Sequence, residues 1–376
     1  MQRSSSSIPE VPHLLSIGDR LSGLLRKDPT TSHGGAEIQH AMMARELAAR
    51  GWRVDVCSDG DLADMDWDGG RIWHIKGSGL KPSRLWNIYK VFKRSHARAV
   101  MIVGVSAFIF VFYLFCRIRG KKIILGIQHD LDVVPDMRIK GWRRLVYLWT
   151  LKRIDLLLVQ HNVQRQHAER LVRCPIIVIP NYLLISASPS QPPLGEAFIW
   201  LGTFRSYKRP EIVLELAKAL PQFKFLLVCK PLPPEALKVD DHRKIAYESM
   251  QKRAAELPNV RFIPGCGREE IQSLILESKA LLITSEGEGW PNVLLEVAAY
   301  GRGVLAFHDV GEDIIQKKGI GKVAGTVEEA ISALGETTEE QWQLFGQNAL
   351  RYVQGECSNT AITERLSNEI LALLHL

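Results

Sequence analysis

Two glutamates separated by seven residues carry the densest chemistry in this chain. Glu288 lies in a glycine-rich loop, Glu286-Gly-Glu-Gly-Trp-Pro291, and Glu296 lies in the apolar run that follows, Asn292 to Tyr300. The glycines keep the loop from being helical for long. Pro291 suits the first position of a helix, where its missing N–H would be an orphan in any case. Gly301 is the expected stop. A loop that runs into a helix presents free amide N–H groups, which favour an anion such as phosphate. Two carboxylates beside a phosphate would repel it, so their natural partners are neutral hydroxyls, and a carboxylate accepts two hydrogen bonds from a diol. An anion flanked by diols describes a nucleotide sugar. From the residues alone, a buried helix whose glutamates face solvent fits the same pattern.

Cations for such an anion come from Gly202-Thr-Phe-Arg-Ser-Tyr-Lys-Arg-Pro210. This loop follows the strand Phe198–Leu201, as the Glu288 loop follows the strand Ala280–Ile283. Both therefore belong at the C-terminal edge of one sheet, where Arg205 and Lys208 can meet the anion. A merely solvated basic turn is the plainer reading. His129-Asp130 closes another strand at the edge where open α/β sheets place ligands, so His129 is a candidate substrate contact or an ordinary surface histidine. Gly34-Gly35 opens a helix and is either a site of close backbone approach or a tight turn.

The elements that must position these residues alternate throughout. Strands are expected at 13–18, 54–57, 99–105, 122–127, 154–159 and 176–179, then at 198–201, 223–229, 260–263, 280–283 and 304–307. Helices fall between them, among them Ile38–Arg50 and a final one over 360–374. Residues 60–80 read as irregular. The Ser/Pro-rich stretch at 185–195 marks a linker. The expected organisation is α/β, with two Rossmann-like domains: an N-terminal one over 1–184, a linker at 185–196, and a C-terminal one over 197–356. A last helix in 357–376 packs back on the first domain. The opening lacks G-x-G-x-x-G, so a nicotinamide or flavin cofactor has little support.

At 376 residues, 46% apolar and 8% aromatic, the chain has the size and composition of a two-domain globular protein. Six scattered cysteines with no C-x-x-C pair suggest neither a zinc site nor a disulfide framework, and fit a reducing cytoplasm. The first ten residues lack an apolar core and read as a tail rather than a secretory signal. The net charge of +7 is concentrated: Lys81 to Arg153 holds 16 basic and 3 acidic residues. Within it, 99–116 is uncharged over a length that just qualifies as a membrane span, yet it parses better as a strand followed by a helix ending at Gly120. Lys140–Arg153 is a basic helix with tryptophans. It is read either as interfacial on anionic lipid or as a surface helix with inward aromatics. Nucleic acid suits the charge, but no binding motif accompanies it.

These residues together resemble the GT-B glycosyltransferases of the family-4 type, which retain anomeric configuration. Glu288-Gly-Trp-Pro-Asn-Val-Leu-Leu-Glu296 is similar to their E-x7-E signature, with Trp290 where phenylalanine is usual. Gly34-Gly-Ala-Glu37 with Leu47–Val54, Ile179-Pro-Asn181 and Lys208-Arg-Pro210 also resemble family segments. The resemblance implies two Rossmann-like domains facing each other across a cleft. The C-terminal domain would bind a nucleotide diphosphate-sugar and the N-terminal domain the acceptor. Glu296 would hold the ribose and Glu288 the donor sugar, with Gly289, Trp290, Pro291, Asn292 and Val293 lining the donor site. Arg205 and Lys208 would neutralise the departing diphosphate without a metal or other cofactor, and His129 would lie near the transferred sugar, with Gly34 and Gly35 allowing close approach. The family's arginine usually follows the strand glycine directly; here Thr203 stands there and Arg205 comes two residues later.

The expected function is transfer of a sugar from a nucleotide sugar to a glycan or lipid-linked acceptor, in cell-surface polysaccharide or glycolipid synthesis. The expected location is the cytoplasm, peripheral on the inner face of the plasma membrane. The alternatives are a nucleotide-sugar epimerase or phosphorylase on the same fold, or a noncatalytic sugar-nucleotide or lipid-surface binding protein.

Overall fold

Parallel strands alternate with helices along the whole chain and assort into two sheets, one in each of two units. The structure is a computed structural model and describes residues 11–18, 21–26, 35–60, 62–76, 81–104, 109–134, 139–182, 192–231, 241–286, 290–310 and 313–375. One unit comprises the chain up to Asn181 together with Asn359 onward; the other runs from Tyr182 to Ser358.

In the first unit the elements run β1 (His13–Ile17), α1 (Leu21–Leu25), α2 (Gly35–Ala49), β2 (Arg53–Asp59), β3 (Met65–Trp67), β4 (Gly70–Ile75), α3 (Pro82–Arg94), β5 (Ala99–Val103), α4 (Ile109–Ile118), β6 (Lys122–Gly126), α5 (Trp142–Leu151), β7 (Leu156–Val159), α6 (Asn162–Glu169) and β8 (Ile176–Val178). The sheet order is β3-β4-β2-β1-β5-β6-β7-β8. All neighbours are parallel except the β3–β4 hairpin. Helices cover such a sheet on both faces, so its inner strands are continuous apolar runs. Val100, Met101, Ile123, Ile124, Leu125 and Leu157 are fully buried.

The uncharged stretch 99–116 divides as its sequence suggests, into β5 and α4, with Gly120 at φ 63° after the helix. Among the described residues no helix is long and apolar enough to cross a membrane. Residues 60–80 are a correction, because β3 and β4 form an ordered hairpin there. Trp67 pairs with Gly70 across the turn residues Asp68 and Gly69. Asp-Gly between strand-forming residues is a strong hairpin signal, and here it was outweighed by the local density of Asp and Gly. The Trp67 indole locks the hairpin by donating to the Val54 carbonyl at 3.0 Å.

The second unit contains β9 (Ala197–Thr203), α7 (Glu211–Ala219), β10 (Lys224–Lys230), α8 (Asp241–Ala255), β11 (Val260–Ile263), α9 (Arg268–Leu276), β12 (Ser278–Ile283), α10 (Asn292–Ala298), β13 (Gly303–Ala306), α11 (Ile314–Lys317), β14 (Gly321–Val323), α12 (Val327–Glu336) and α13 (Glu339–Glu356). Its sheet is wholly parallel, in the order β11-β10-β9-β12-β13-β14. Counted from the unit's first strand this is 3-2-1-4-5-6, the doubly wound order of dinucleotide-binding folds. Arg302 is fully buried at its base. Its guanidinium donates to the carbonyls of Ile275, Leu276, Pro192 and Pro193 at 2.9–3.2 Å, tying the incoming chain to the end of α9.

The last helix, α14 (Asn359–Leu374), returns to the first unit. Trp52 donates to the Ser367 hydroxyl at 2.9 Å, Asn359 to the Glu46 carboxylate at 3.0 Å, and Arg98 to the Leu374 carbonyl at 2.9 Å.

Candidate active site

The chain leaves β9 and β12 in opposite directions, β9 toward β10 and β12 toward β13, although the two strands are parallel neighbours. Such a switch point leaves a crevice beyond the carboxyl ends of the strands, and open α/β sheets bind ligands there. Both loops singled out by sequence open at this place. They are bonded to each other: the buried Thr284 hydroxyl donates to the Lys208 carbonyl at 2.6 Å, and the Glu286 amide donates to the Tyr207 carbonyl at 2.9 Å. The Trp200 indole donates to the same Thr284 oxygen at 2.9 Å, so a core tryptophan fixes the junction from below.

On the basic side, Arg205 is exposed and precedes a 3-10 turn, Ser206–Lys208, while Lys208 is half-buried. The next residue, Arg209, was not singled out by sequence. It adopts the left-handed conformation at φ 48°, and its guanidinium lies 5.4 Å from the centre of the Phe307 ring at the end of β13. That backbone conformation costs an L-residue about 1–2 kcal/mol; the ring contact and the Arg209 amide bond to the Ser206 carbonyl offset it. Lys230 ends β10 in register with Thr203. Arg205, Lys208, Arg209 and Lys230 thus all follow or end strands at this edge of the sheet.

On the acidic side, Pro291 proves to be the N-cap, extended at φ −70°, and α10 begins one residue later at Asn292. Leu294, Leu295, Val297 and Ala298 are buried on this helix. Glu296, Asn292 and Val293 are half-buried, and Trp290 and Val293 pack against the core of the unit. The helix ends at Ala298 with Ala299 as its C-cap, two residues earlier than the sequence suggests, and Gly301 takes φ 66° one residue beyond the C′ position. Glu288 and Gly289 lie outside the described residues, as does Gly34.

In the first unit Gly35 opens α2, and the polar residues gather where β6, β7 and β8 end. His129 is exposed and caps the 3-10 turn Asp130–Asp132, its Nδ1 accepting the Leu131 amide at 3.1 Å. Asp130 Oδ1 receives two donors, His161 Nε2 at 2.9 Å and Gln164 Nε2 at 2.8 Å. Burial alone would raise the Asp130 carboxyl; these hydrogen bonds outweigh it and hold it below its ordinary value of 3.8. Gln160 donates to Asn181 Oδ1 at 2.9 Å and to Gln128 Oε1 at 3.3 Å. Sequence reasoning passed over Asp130, His161, Gln160 and Gln164. A signal was present, since Gln128-His-Asp130 and Gln160-His-Asn162 repeat one pattern directly after two adjacent strands.

Residues 34–182 match the model of the glycosyl transferase 4-like domain. Among solved structures, the chain is similar to sucrose-phosphate synthase from Thermosynechococcus elongatus at a TM-score of 0.75 and 16% identity, over 97% of this chain and 99% of that one. It is also similar to Anabaena HepE, solved with UDP and glucose, at 0.70 and 14% identity, over 96% and 100%. It is similar as well to trehalose-6-phosphate from E. coli bound with UDP-2-fluoro glucose, at 0.70 and 11% identity, over 95% and 98%. The fold is that of the GT-B glycosyltransferases. No curated protein sequence matches the chain.

Within this GT-B chain the two polar edges are unlike in charge. That of the second unit gathers Arg205, Lys208, Arg209 and Lys230 beside the bonded junction of its two loops. That of the first is built of amides and one oriented carboxylate. A shallow depression lined by Gly195, Lys224, Phe225, Asn259 and Glu277 lies at the opposite edge of the second sheet, at the start of β9 and β10, away from both loops. Among the described residues no three His, Cys, Asp or Glu side chains gather as metal ligands would.

Proposed function

We propose that the chain is a retaining glycosyltransferase that moves a sugar from a nucleotide diphosphate-sugar to a glycan or lipid-linked acceptor, in the synthesis of cell-surface polysaccharide or glycolipid. The observation that carries this reading is the bonded junction of the two loops at the switch point of the second unit. It holds the Lys208 turn against the segment that leads into the Glu296 helix.

In this reading Glu296 accepts the two ribose hydroxyls, and Glu288 takes hydroxyls of the donor sugar. Gly289, Trp290, Pro291, Asn292 and Val293 line the donor site. The charge that develops on the departing diphosphate is neutralised by Lys208 and Arg205, with Arg209 beside them. Fixed cations stabilise developing charge without reorganising, so this reading calls for no metal. His129, whose Nδ1 accepts the Leu131 amide, is in this reading a contact of the transferred sugar. Retention of configuration follows from the family-4 resemblance. UDP is the first nucleotide to try, because HepE was solved with it and the E. coli protein with a UDP sugar.

Peripheral contact with an anionic membrane is part of the proposal. Helices α3, α4 and α5 expose Trp86, Leu114, Ile118, Trp142, Leu145 and Trp149, in the segment that carries the chain's basic excess. Apolar side chains ringed by Lys and Arg are what an anionic interface attracts.

Thermal unfolding with UDP-, GDP- and ADP-sugars tests the donor site directly. A ligand at 100 times its Kd stabilises by about 2.7 kcal/mol. We expect one of the three to raise the midpoint in the native chain and to fail in Lys208→Ala. No shift with any of them would remove the donor reading. A product of inverted configuration in a labelled-donor assay would remove the retaining part alone.

A further inference from the structure

Arg209 keeps a backbone conformation that its residue type does not favour. It sits at φ 48° and ψ 51°, in the left-handed region. It also precedes Pro210, and a proline normally pushes the residue before it into the extended region. Glycine would take the same angles freely. The turn itself closes through backbone bonds, from the Lys208 and Arg209 amides to the Arg205 and Ser206 carbonyls, which any residue could make. The reason for a residue other than glycine therefore lies in the arginine side chain.

That side chain is held in place but chemically unspent. It is half-buried, and its guanidinium lies 5.4 Å from the centre of the buried Phe307 ring. The Lys208 turn is bonded to the segment that leaves β12, and Phe307 follows β13, so Arg209 reaches past the end of β12 beside the switch point. Among the described residues its guanidinium finds no hydrogen-bond acceptor and no carboxylate within ion-pair range. An open, planar fork of this kind suits neighbouring oxygens of a phosphate or diphosphate. Arg205 differs on each count. It is exposed, and its backbone at φ −145° is ordinary extended chain. A solvated arginine must be ordered by its ligand, at a cost in side-chain freedom that a side chain already held does not incur. Directly after Gly202 stands Thr203, which brings no charge.

The geometry points to Arg209, rather than Arg205, as the arginine that grips the diphosphate of the donor, with Phe307 as the platform that holds it ready. The inference rests on the donor reading for the identity of the anion, and puts Arg209 ahead of Arg205 within it. Arg209 donates to the phosphate oxygens; Phe307 acts through Arg209 and is a positioning residue.

Calorimetric titration of the full chain with UDP, GDP and ADP reads this contact without turnover. At least one nucleotide should bind the native protein. Arg209→Gly should weaken it roughly tenfold or more, a loss of about 1.4 kcal/mol. Its urea midpoint should stay at or above the native one, because glycine adopts the left-handed backbone freely, so the lost affinity is not lost folding. Arg209→Asn, whose short side chain also tolerates that region, should weaken the nucleotide as much. Arg209→Lys keeps the charge without the fork and should fall between. Arg205→Ala should weaken it less, as befits an exposed cation screened by water. Phe307→Leu should reduce the affinity of native protein by a smaller factor and leave that of Arg209→Gly unchanged, a coupling that a purely structural role would not produce. Equal affinity in Arg209→Gly and native protein would overturn the inference and leave the donor reading standing, as would a larger loss in Arg205→Ala than in Arg209→Gly. Native protein that binds none of the three nucleotides would overturn both.

Discussion

Thr284 shows how one atom can govern a site it does not touch. Its oxygen receives the Trp200 indole and gives its proton to the Lys208 carbonyl. Thr284→Val keeps the shape and removes both bonds, leaving a donor and an acceptor unmet in a dry place. We expect a loss of about 1–3 kcal/mol in stability, read as a lower urea midpoint, together with weaker UDP-sugar binding as the Lys208 turn loosens. Unchanged nucleotide affinity in a destabilised Thr284→Val protein would show that the junction serves folding only. His40 makes a prediction of another kind. It is wholly buried against Ser16 Oγ at 2.6 Å, and burial lowers its pKa from 6.5 to about 3. The folded chain therefore keeps the ring neutral while the unfolded chain takes up a proton below pH 6.5. Stability from this group is complete above that pH and is lost as pH falls toward 3, with a limiting slope of about 1.4 kcal/mol per pH unit. His40→Gln should remove that one-proton dependence, which urea unfolding at a series of pH values between 6.5 and 4 will measure.

At the scale of elements, Arg302 is the clearest dependence. Four carbonyls from two segments converge on one buried guanidinium. Arg302→Met fills part of the volume and leaves those carbonyls unmet, a loss of about 3 kcal/mol or more. Arg302→Lys should fall between, because an ammonium cannot span the planar fork; equal stability of the two variants would refute the hydrogen-bond account. On α5, Trp142→Ser with Leu145→Ser touches two of the most exposed apolar side chains. Their removal should change stability by no more than about 0.5 kcal/mol while lowering flotation with anionic vesicles. Retention of full, salt-sensitive flotation would move membrane contact elsewhere. The elements themselves were largely legible: the apolar strands, the split of 99–116 and the glycine after α10 follow from period and punctuation. The β3–β4 hairpin was hidden because a short edge strand carries too few apolar residues to announce itself. The Asp130–His161 pair was hidden because its members lie 31 residues apart and meet only through the register of β6 and β7.

At the scale of the molecule, the doubly wound order of the second sheet places the Lys208 turn beside the loop that leaves β12, and no local pattern contains that order. The same holds for α14. Its amphipathic sequence marks it as a packing helix, but only the fold shows that Trp52, Arg98 and Glu46 receive it. Ending the chain before Asn359 should uncover Ile362, Leu366 and Ile370 contacts and lower the melting of the first unit by several kcal/mol, on the scale of burying three large aliphatic side chains. Calorimetry would detect it as a change confined to one transition. The two-piece construction of the first unit also dictates an order of events at the ribosome. All of Tyr182–Ser358 is translated before the residues that seal Trp52 emerge. During each round of synthesis the surface that Ile362, Leu366 and Ile370 cover thus stays bare until the whole second unit has been made.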